Sequence, residues 1–175
     1  MSDALYFNSR SADKKVGKGT NEHVKNEEDY EELSKIKDWR KVLSNFNENP
    51  FFYGGYCWKT VEHAFQAHKF KDLDKDLFES FNLNSGSDLA NGTGLDAQKM
   101  RKAIKLNSKQ IKEWNEISGE LMKELWIAKF TQDELSRKVL LATNNAQLLH
   151  GVPRKPLERW ISLETIRALI SNGDL

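Results

Sequence analysis

Apolar positions along this chain recur mostly at helical spacing. Between Glu27 and Val42 the residues Tyr30, Leu33, Ile36 and Trp39, with Leu43 just beyond, repeat every three to four positions, which predicts one amphipathic helix. Its acidic start and its Lys- and Arg-rich end suit the helix macrodipole. Ser108 leads into a long helix in which Trp114, Ile117, Leu121, Leu125 and Ala128 follow the same period and are expected to face the core. Gln132–Ala142 and Leu157–Ile170 predict two more helices, the last with Trp160, Ile161, Leu163, Ile166 and Ile170 inward and Asn172-Gly173 ending it. Strand signals are fewer. Leu5-Tyr6-Phe7 reads as a short strand, and Phe51-Phe52-Tyr53 and Tyr56-Cys57-Trp58 flank Gly54-Gly55 as a hairpin. Residues 72–96 are turn-rich and polar, with a short helix over Asp76–Phe81. A short basic helix from Asp96 carries Lys99, Arg101, Lys102 and Lys105.

One further helix, Trp58–Phe70, has an unusual polar pattern. Glu62, Gln66 and Lys69 fall within about 40° of one line at 100° per residue. Val61, Ala64, Phe65 and His68 lie to one side, and His63, Ala67 and Phe70 to the other. A polar strip between two apolar flanks fits the wall of a polar-lined pocket and equally fits a half-buried helix with solvated Glu and Lys. Thr60 is suited to cap this helix, which puts Glu62 in its first turn. The dipole there lowers a carboxylate pKa and burial raises it, and the pattern leaves that balance open.

Composition narrows the function classes. A chain of 175 residues fits one domain, 1–175, and five Trp and nine Phe supply a core although 30% of residues are charged. With 27 basic and 26 acidic side chains the net charge is +1, so no general field favours nucleic acid or a membrane surface and any anion site must be local. The single Cys57 excludes an internal disulfide framework, no cysteine cluster offers a metal site, and no cofactor is expected. No apolar run reaches the ~20 residues of a membrane span, and the N-terminus lacks the pattern of a secretory signal. A cytoplasmic setting is the expectation.

The segment 8–26 is a polar loop bearing Arg10, Lys14, Lys15 and Lys18 beside Gly17 and Gly19. Its backbone amides and cations are suited to cup an anion, while its composition also fits a flexible leader. Gly17-Lys18-Gly19-Thr20 lacks the earlier Gly of a Walker-type phosphate loop, which excludes that site.

Leu43-Ser44-Asn45-Phe46, then Trp58-Lys59-Thr60-Val61-Glu62-His63-Ala64-Phe65-Gln66-Ala67-His68-Lys69-Phe70, then Trp114, Met122 and Lys129-Phe130-Thr131-Gln132 resemble the YbiA-like, or NADAR, family. The resemblance implies a compact α+β, mostly α, domain with a few short strands. It also implies hydrolysis of the N-glycosidic bond of a phosphorylated riboside, such as an early riboflavin-pathway intermediate or ADP-ribose attached to guanine, including ADP-ribosylated nucleic acid. Glu62 resembles the family's key acid. Asn45, Phe46, Gln66, Lys69 and Trp114 resemble its binding wall, with Trp58, Phe46 and Trp114 as candidates to stack on a base. Arg10, Lys18 and Arg154 join Lys69 as phosphate candidates, and the segment around Lys18 and Asn21 looks like a branch in which the N-terminal loop belongs to the site. The acidic residue and Trp-Gly stretch that many members carry near the C-terminus is replaced by Leu149-His150-Gly151-Val152-Pro153-Arg154. His150 there reads either as a ligand contact or as a loop residue with a satisfied ring. Two rival classes stay open: a non-catalytic module that binds ADP-ribose or a nucleotide, which needs no ionisable acid at Glu62, and a helical interaction protein with no such ligand.

Overall fold

The computed structural model describes Met1–Leu175. In chain order it contains β1 (Ala4–Phe7), α1 (Glu31–Ser34), α2 (Trp39–Val42), β2 (Phe51–Tyr53), β3 (Tyr56–Trp58), α3 (Val61–Phe70), α4 (Lys75–Ser80), α5 (Asp88–Asn91) and α6 (Gly94–Lys99). The long α7 (Ser108–Gln132), α8 (Glu134–Ala142), β4 (Gln147–His150), β5 (Glu158–Arg159) and α9 (Ile161–Ser171) complete it. The class is α+β and mostly α. Two compact units form, one from Met1–Ser44 with Glu134–Leu175, the other from Asn45–Asp133.

In the first unit β1 lies parallel to β4, with Phe7 opposite His150, and β5 pairs antiparallel on the other edge of β4. Leu5 and Phe7 point inward at alternate positions of β1, and Leu148, Leu163 and Ile166 are buried in the same unit. The single helix expected over 27–42 is instead a 3₁₀ turn at Glu27–Tyr30 followed by α1 and α2. Tertiary hydrogen bonds cause the break. Ser34 Oγ accepts the Val16 N–H at 3.1 Å, and the Asp38 N–H donates to Asp13 Oδ1 at 3.0 Å. Asp38 takes a left-handed φ of 55°, which ends helical geometry there. The last helix also starts later than its apolar period suggests, because Glu158 and Arg159 pair with β4; Ile161, expected inward, is 60% exposed.

In the second unit β2 and β3 form the expected hairpin, with Gly54 and Gly55 at φ 62° and 85°, the left-handed pair that a two-residue type I′ turn requires. α3 packs against α4, α6 and α7, with Val61, Ala64, Ala67 and Phe70 buried. The turn-rich 72–96 segment holds three short helices, each opened by a side-chain cap. Asp74, Ser87 and Thr93 accept from the N–H of Leu77, Ala90 and Asp96, which is why so polar a stretch is ordered. On α7 only the C-terminal half is deeply packed. Leu121, Leu125 and Ala128 are buried, whereas Ile117, expected in the core, is 57% exposed.

Candidate functional site

The site is built where the hairpin passes into α3. Thr60 leaves β3 in extended backbone and its Oγ1 accepts the His63 N–H at 3.1 Å, capping the helix. The His63 ring fixes that cap. Its Nε2 lies 2.9 Å from the Leu89 carbonyl, which can only accept, so Nε2 carries the proton and Nδ1 accepts from the Thr60 hydroxyl at 2.8 Å. Burial favours this neutral ring by lowering its pKa. One residue back, the Glu62 N–H donates to the Asn45 carbonyl at 3.1 Å, tying the Leu-Ser-Asn-Phe segment to the first turn of the helix.

Glu62 and Gln66 are 7% and 6% exposed, so the polar strip is enclosed over its first turn rather than solvated. Gln66 Nε2 donates to Glu62 Oε1 at 2.8 Å. Gln66 Oε1 is buried and has no partner, an acceptor whose desolvation nothing within the chain offsets. The balance left open by the sequence resolves toward burial. The Glu62 carboxyl is raised above the usual carboxylate range by desolvation, with the Gln66 hydrogen bond and the charge of Arg101 pulling the other way.

The remaining sequence-predicted residues of this unit differ in what their side chains are engaged with. The Asn45 side chain is engaged internally: Oδ1 accepts from Trp126 Nε1 at 2.8 Å and Nδ2 points to Met122 Sδ at 3.7 Å. It positions the segment rather than offering free polar atoms. Phe46 packs against Gly94, where a Cβ would lie 2.7 Å from the Phe46 Cα. Trp58, expected as a stacking surface, is a core residue with no exposed area. Its Nε1 donates to the Tyr53 carbonyl at 3.1 Å, and its ring is enclosed by Tyr56, His68 and Phe78. Trp114 is half-buried with its ring 5.0 Å from Phe65, which leaves part of the indole open. Lys69 is half-buried and its Nζ donates to the Arg101 carbonyl at 2.9 Å.

Arg10, Lys18, Asn21, His150 and Arg154 belong to the first unit. Arg10 is exposed. Lys18 pairs with Glu27 at 2.6 Å, and Asn21 and Arg154 are exposed at φ 63° and 65°. His150 stacks on Trp160 with ring centres 4.4 Å apart and tilts against Phe7, and burial lowers its pKa. The anion expected in the 8–26 loop turns out to be internal. Gly17 and Gly19 donate their N–H groups to Glu22 Oε2 at 2.9 and 3.1 Å. Arg40 meets the same carboxylate in a two-pronged pair, Nε to Oε1 at 2.7 Å and Nη2 to Oε2 at 2.8 Å. Arg40 also donates to the carbonyls of Lys14 at 2.5 Å and Lys15 at 3.0 Å, so the loop is wrapped round a guanidinium. A cavity of about 500 Å³ in this unit, walled by Asp3, Asp29, Tyr30 and Asn144 among others, contains none of the sequence-predicted residues.

Three participants escape the periodicity. Trp126 and Met122 occupy one face of α7 four residues apart, indistinguishable in pattern from ordinary core. Arg101 lies in an exposed basic stretch. Elsewhere on α7, outside these contacts, Lys129 is 1% exposed, and burial pushes its ammonium down to about 7, with Asp133 opposing. Its one signal is its place in a Lys-Phe-Thr-Gln motif at a core position. No group of three or more His, Cys, Asp or Glu side chains is arranged to hold a metal, and no helix is long and apolar enough to cross a membrane.

Residues 18–156 match the NADAR domain family, and the chain belongs to that family. It is 34% identical over 107 residues to N-glycosidase YbiA of Escherichia coli strain K12, and 33% identical over the same length to N-glycosidase YbiA of Shigella flexneri. In both cases the match covers 61% of this chain and 60% of the relative, so the chain spans about three-fifths of the curated relatives it matches. The NMR structure of the E. coli protein YbiA has the same fold, with a TM-score of 0.59 at 19% identity over 99% of this chain and 89% of that one.

Proposed function

We propose that this chain is an N-glycosidase that hydrolyses the bond between ribose C1 and a base nitrogen in a phosphorylated riboside, with Glu62 as the catalytic carboxylate. The observation that carries the reading is the buried Glu62–Gln66 pair, held at 2.8 Å with Gln66 Oε1 left without a partner. The names of the curated relatives support the reaction class.

The chemistry follows from the charge that develops. As the C1–N bond breaks, its electron pair leaves with the base nitrogen and positive charge builds on the sugar. An ionised Glu62 in a site poor in water stabilises that charge strongly, and it accepts a proton from the water whose oxygen bonds to C1. The departing nitrogen takes a proton from solvent. A raised pKa makes Glu62 a better base than a solvated carboxylate. Gln66 uses one of its two amide hydrogens on Glu62 and leaves Oε1 without a partner, an acceptor that suits a ribose hydroxyl or a base N–H. The open part of the Trp114 indole suits one face of a base. Riboflavin-pathway ribosides and ADP-ribosyl-guanine both meet these requirements.

Incubating the full chain with a panel of phosphorylated ribosides, ADP-ribosylated guanosine included, tests the reading by chromatography of the products. Release of free base together with a ribose phosphate or ADP-ribose is the expected result. Binding without release from any member of the panel would replace the hydrolase with a nucleotide-binding module.

A further inference from the structure

We infer that His63 is a positioning residue for Glu62, acting through the Thr60 cap and anchored on the Leu89 carbonyl of α5. The inference rests on the N-glycosidase reading for what Glu62 does, and adds what holds it in place. Thr60 and His63 are both fully buried, so neither meets a substrate. The two ring nitrogens are also spent, Nε2–H on the Leu89 carbonyl at 2.9 Å and Nδ1 on the Thr60 hydroxyl at 2.8 Å, which leaves neither a lone pair nor a proton for the reaction. His63 follows the proposed catalytic carboxylate by one residue and takes no proton itself.

The bonds close around the first turn of α3. The Thr60 hydroxyl gives its hydrogen to the ring and turns a lone pair to the His63 N–H at 3.1 Å, so ring and cap fix each other. A threonine cap alone sets the turn against its own backbone; the imidazole ties it to α5. Glu62 lies between these two residues, and its N–H donates to the Asn45 carbonyl at 3.1 Å. Lys59 repeats the device one residue before the cap, its Nζ donating to the Asn91 carbonyl at 2.6 Å and pairing with Glu48 at 3.3 Å. Carbonyls of α5 therefore hold the turn that carries Glu62 on both sides. That helix is a firm support, since Ser87 caps it and donates to the Ser80 carbonyl at 2.5 Å, and Ala90 is fully buried. Such support matters because a catalytic group must sit within about 0.5 Å of its productive place. The Gln66 hydrogen bond restrains Oε1 of Glu62, and the placement of the turn has to do the rest.

Splitting kcat from KM tests the role. Base release from the riboside that wild type cleaves fastest is measured for His63→Leu, His63→Gln, Thr60→Val and the double His63→Leu/Thr60→Val variant, at matched circular dichroism and well below the lowest melting temperature. His63→Leu and Thr60→Val are each expected to lower kcat about tenfold to a hundredfold, the scale of a small misplacement, with KM within about twofold of wild type. His63→Gln keeps a donor for Leu89 and loses the acceptor for Thr60, so its kcat falls between His63→Leu and wild type; it carries the test where His63→Leu does not match the fold. Because one residue acts through the other, the double variant falls no further than the larger single loss. An unchanged kcat in the His63 variants, a loss confined to KM, or a double variant whose loss is the product of the two single ones would overturn the inference. If wild type releases no base from any riboside, the hydrolase reading fails and the positioning is read on the carboxylate itself. In protein carrying 13C-labelled glutamate, the carboxyl resonance that Glu62→Gln removes is expected to move in both His63→Gln and Thr60→Val. A resonance that stays in place would overturn the positioning as well.

Discussion

Gln66 donates its amide hydrogen to Glu62 across 2.8 Å and keeps its own carbonyl oxygen buried with no partner. This arrangement tunes the acid and advertises an acceptor with the same side chain. Activity that needs ionised Glu62 fades as the pH falls through its pKa, and the Gln66 hydrogen bond is one of the influences holding that pKa down. Gln66→Leu therefore moves the acid limb of the kcat/KM profile to higher pH. It also lowers the plateau about tenfold, the worth of one lost hydrogen bond to the substrate. A pH–rate series on base release checks both, and an acid limb that moves down instead contradicts the pairing.

Burial of Glu62 also has a signature in stability. Its folded pKa lies above its unfolded value, so the folded chain holds the proton more tightly. Stability is fully present below the unfolded value and is lost as pH rises through the folded one, each tenfold difference in proton affinity between the two states being worth about 1.4 kcal/mol. Glu62→Gln removes that loss. At pH 8 its melting temperature is expected to exceed wild type by a few degrees, about 2–4 °C per kcal/mol for a chain of this size, and the gap closes toward pH 4.

The two tryptophans expected to stack on a base separate cleanly. Trp58 has no exposed area, so Trp58→Ala costs about 3–5 kcal/mol of stability by urea denaturation. Trp114 is half-buried on Phe65. Trp114→Ala leaves the urea midpoint nearly unchanged and raises KM about tenfold, while Trp114→Phe retains most of the affinity.

Arg40 and Glu22 are 3% and 0% exposed at their side chains and meet in two hydrogen bonds. Arg40→Leu strands a carboxylate inside the first unit and costs about 3–5 kcal/mol, whereas the double Arg40→Leu/Glu22→Leu variant recovers much of it. Urea denaturation of the two single variants and the double gives the coupling.

The contrast between these residues shows how much is legible in the sequence. Local chemistry is: Thr60 as cap, Gly54-Gly55 as a type I′ turn, and the face shared by Glu62 and Gln66 each depend on residues within four positions of one another. The break of the 27–42 helix is not, because Ser34 and Asp38 are diverted by Val16 and Asp13, far off in sequence. Arg40 reads as helix-end charge because nothing local marks its partner Glu22, eighteen positions away. The glycine amides of the 8–26 loop do form an anion cradle, but the anion is the chain's own. Within the candidate site, one helix face points to Glu62, Gln66 and Lys69. It cannot show that Asn45 is spent on Trp126, nor that Lys69 is tied to Arg101, since both bonds depend on tertiary approach.

The role given to Glu62 meets its sharpest test in the rate of free-base release from a phosphorylated riboside by wild type and Glu62→Gln, at matched fold and saturating substrate. A fall of at least about a hundredfold is expected, the scale of a lost general base, with ribose 5-phosphate binding retained. Equal rates for the two proteins would contradict it.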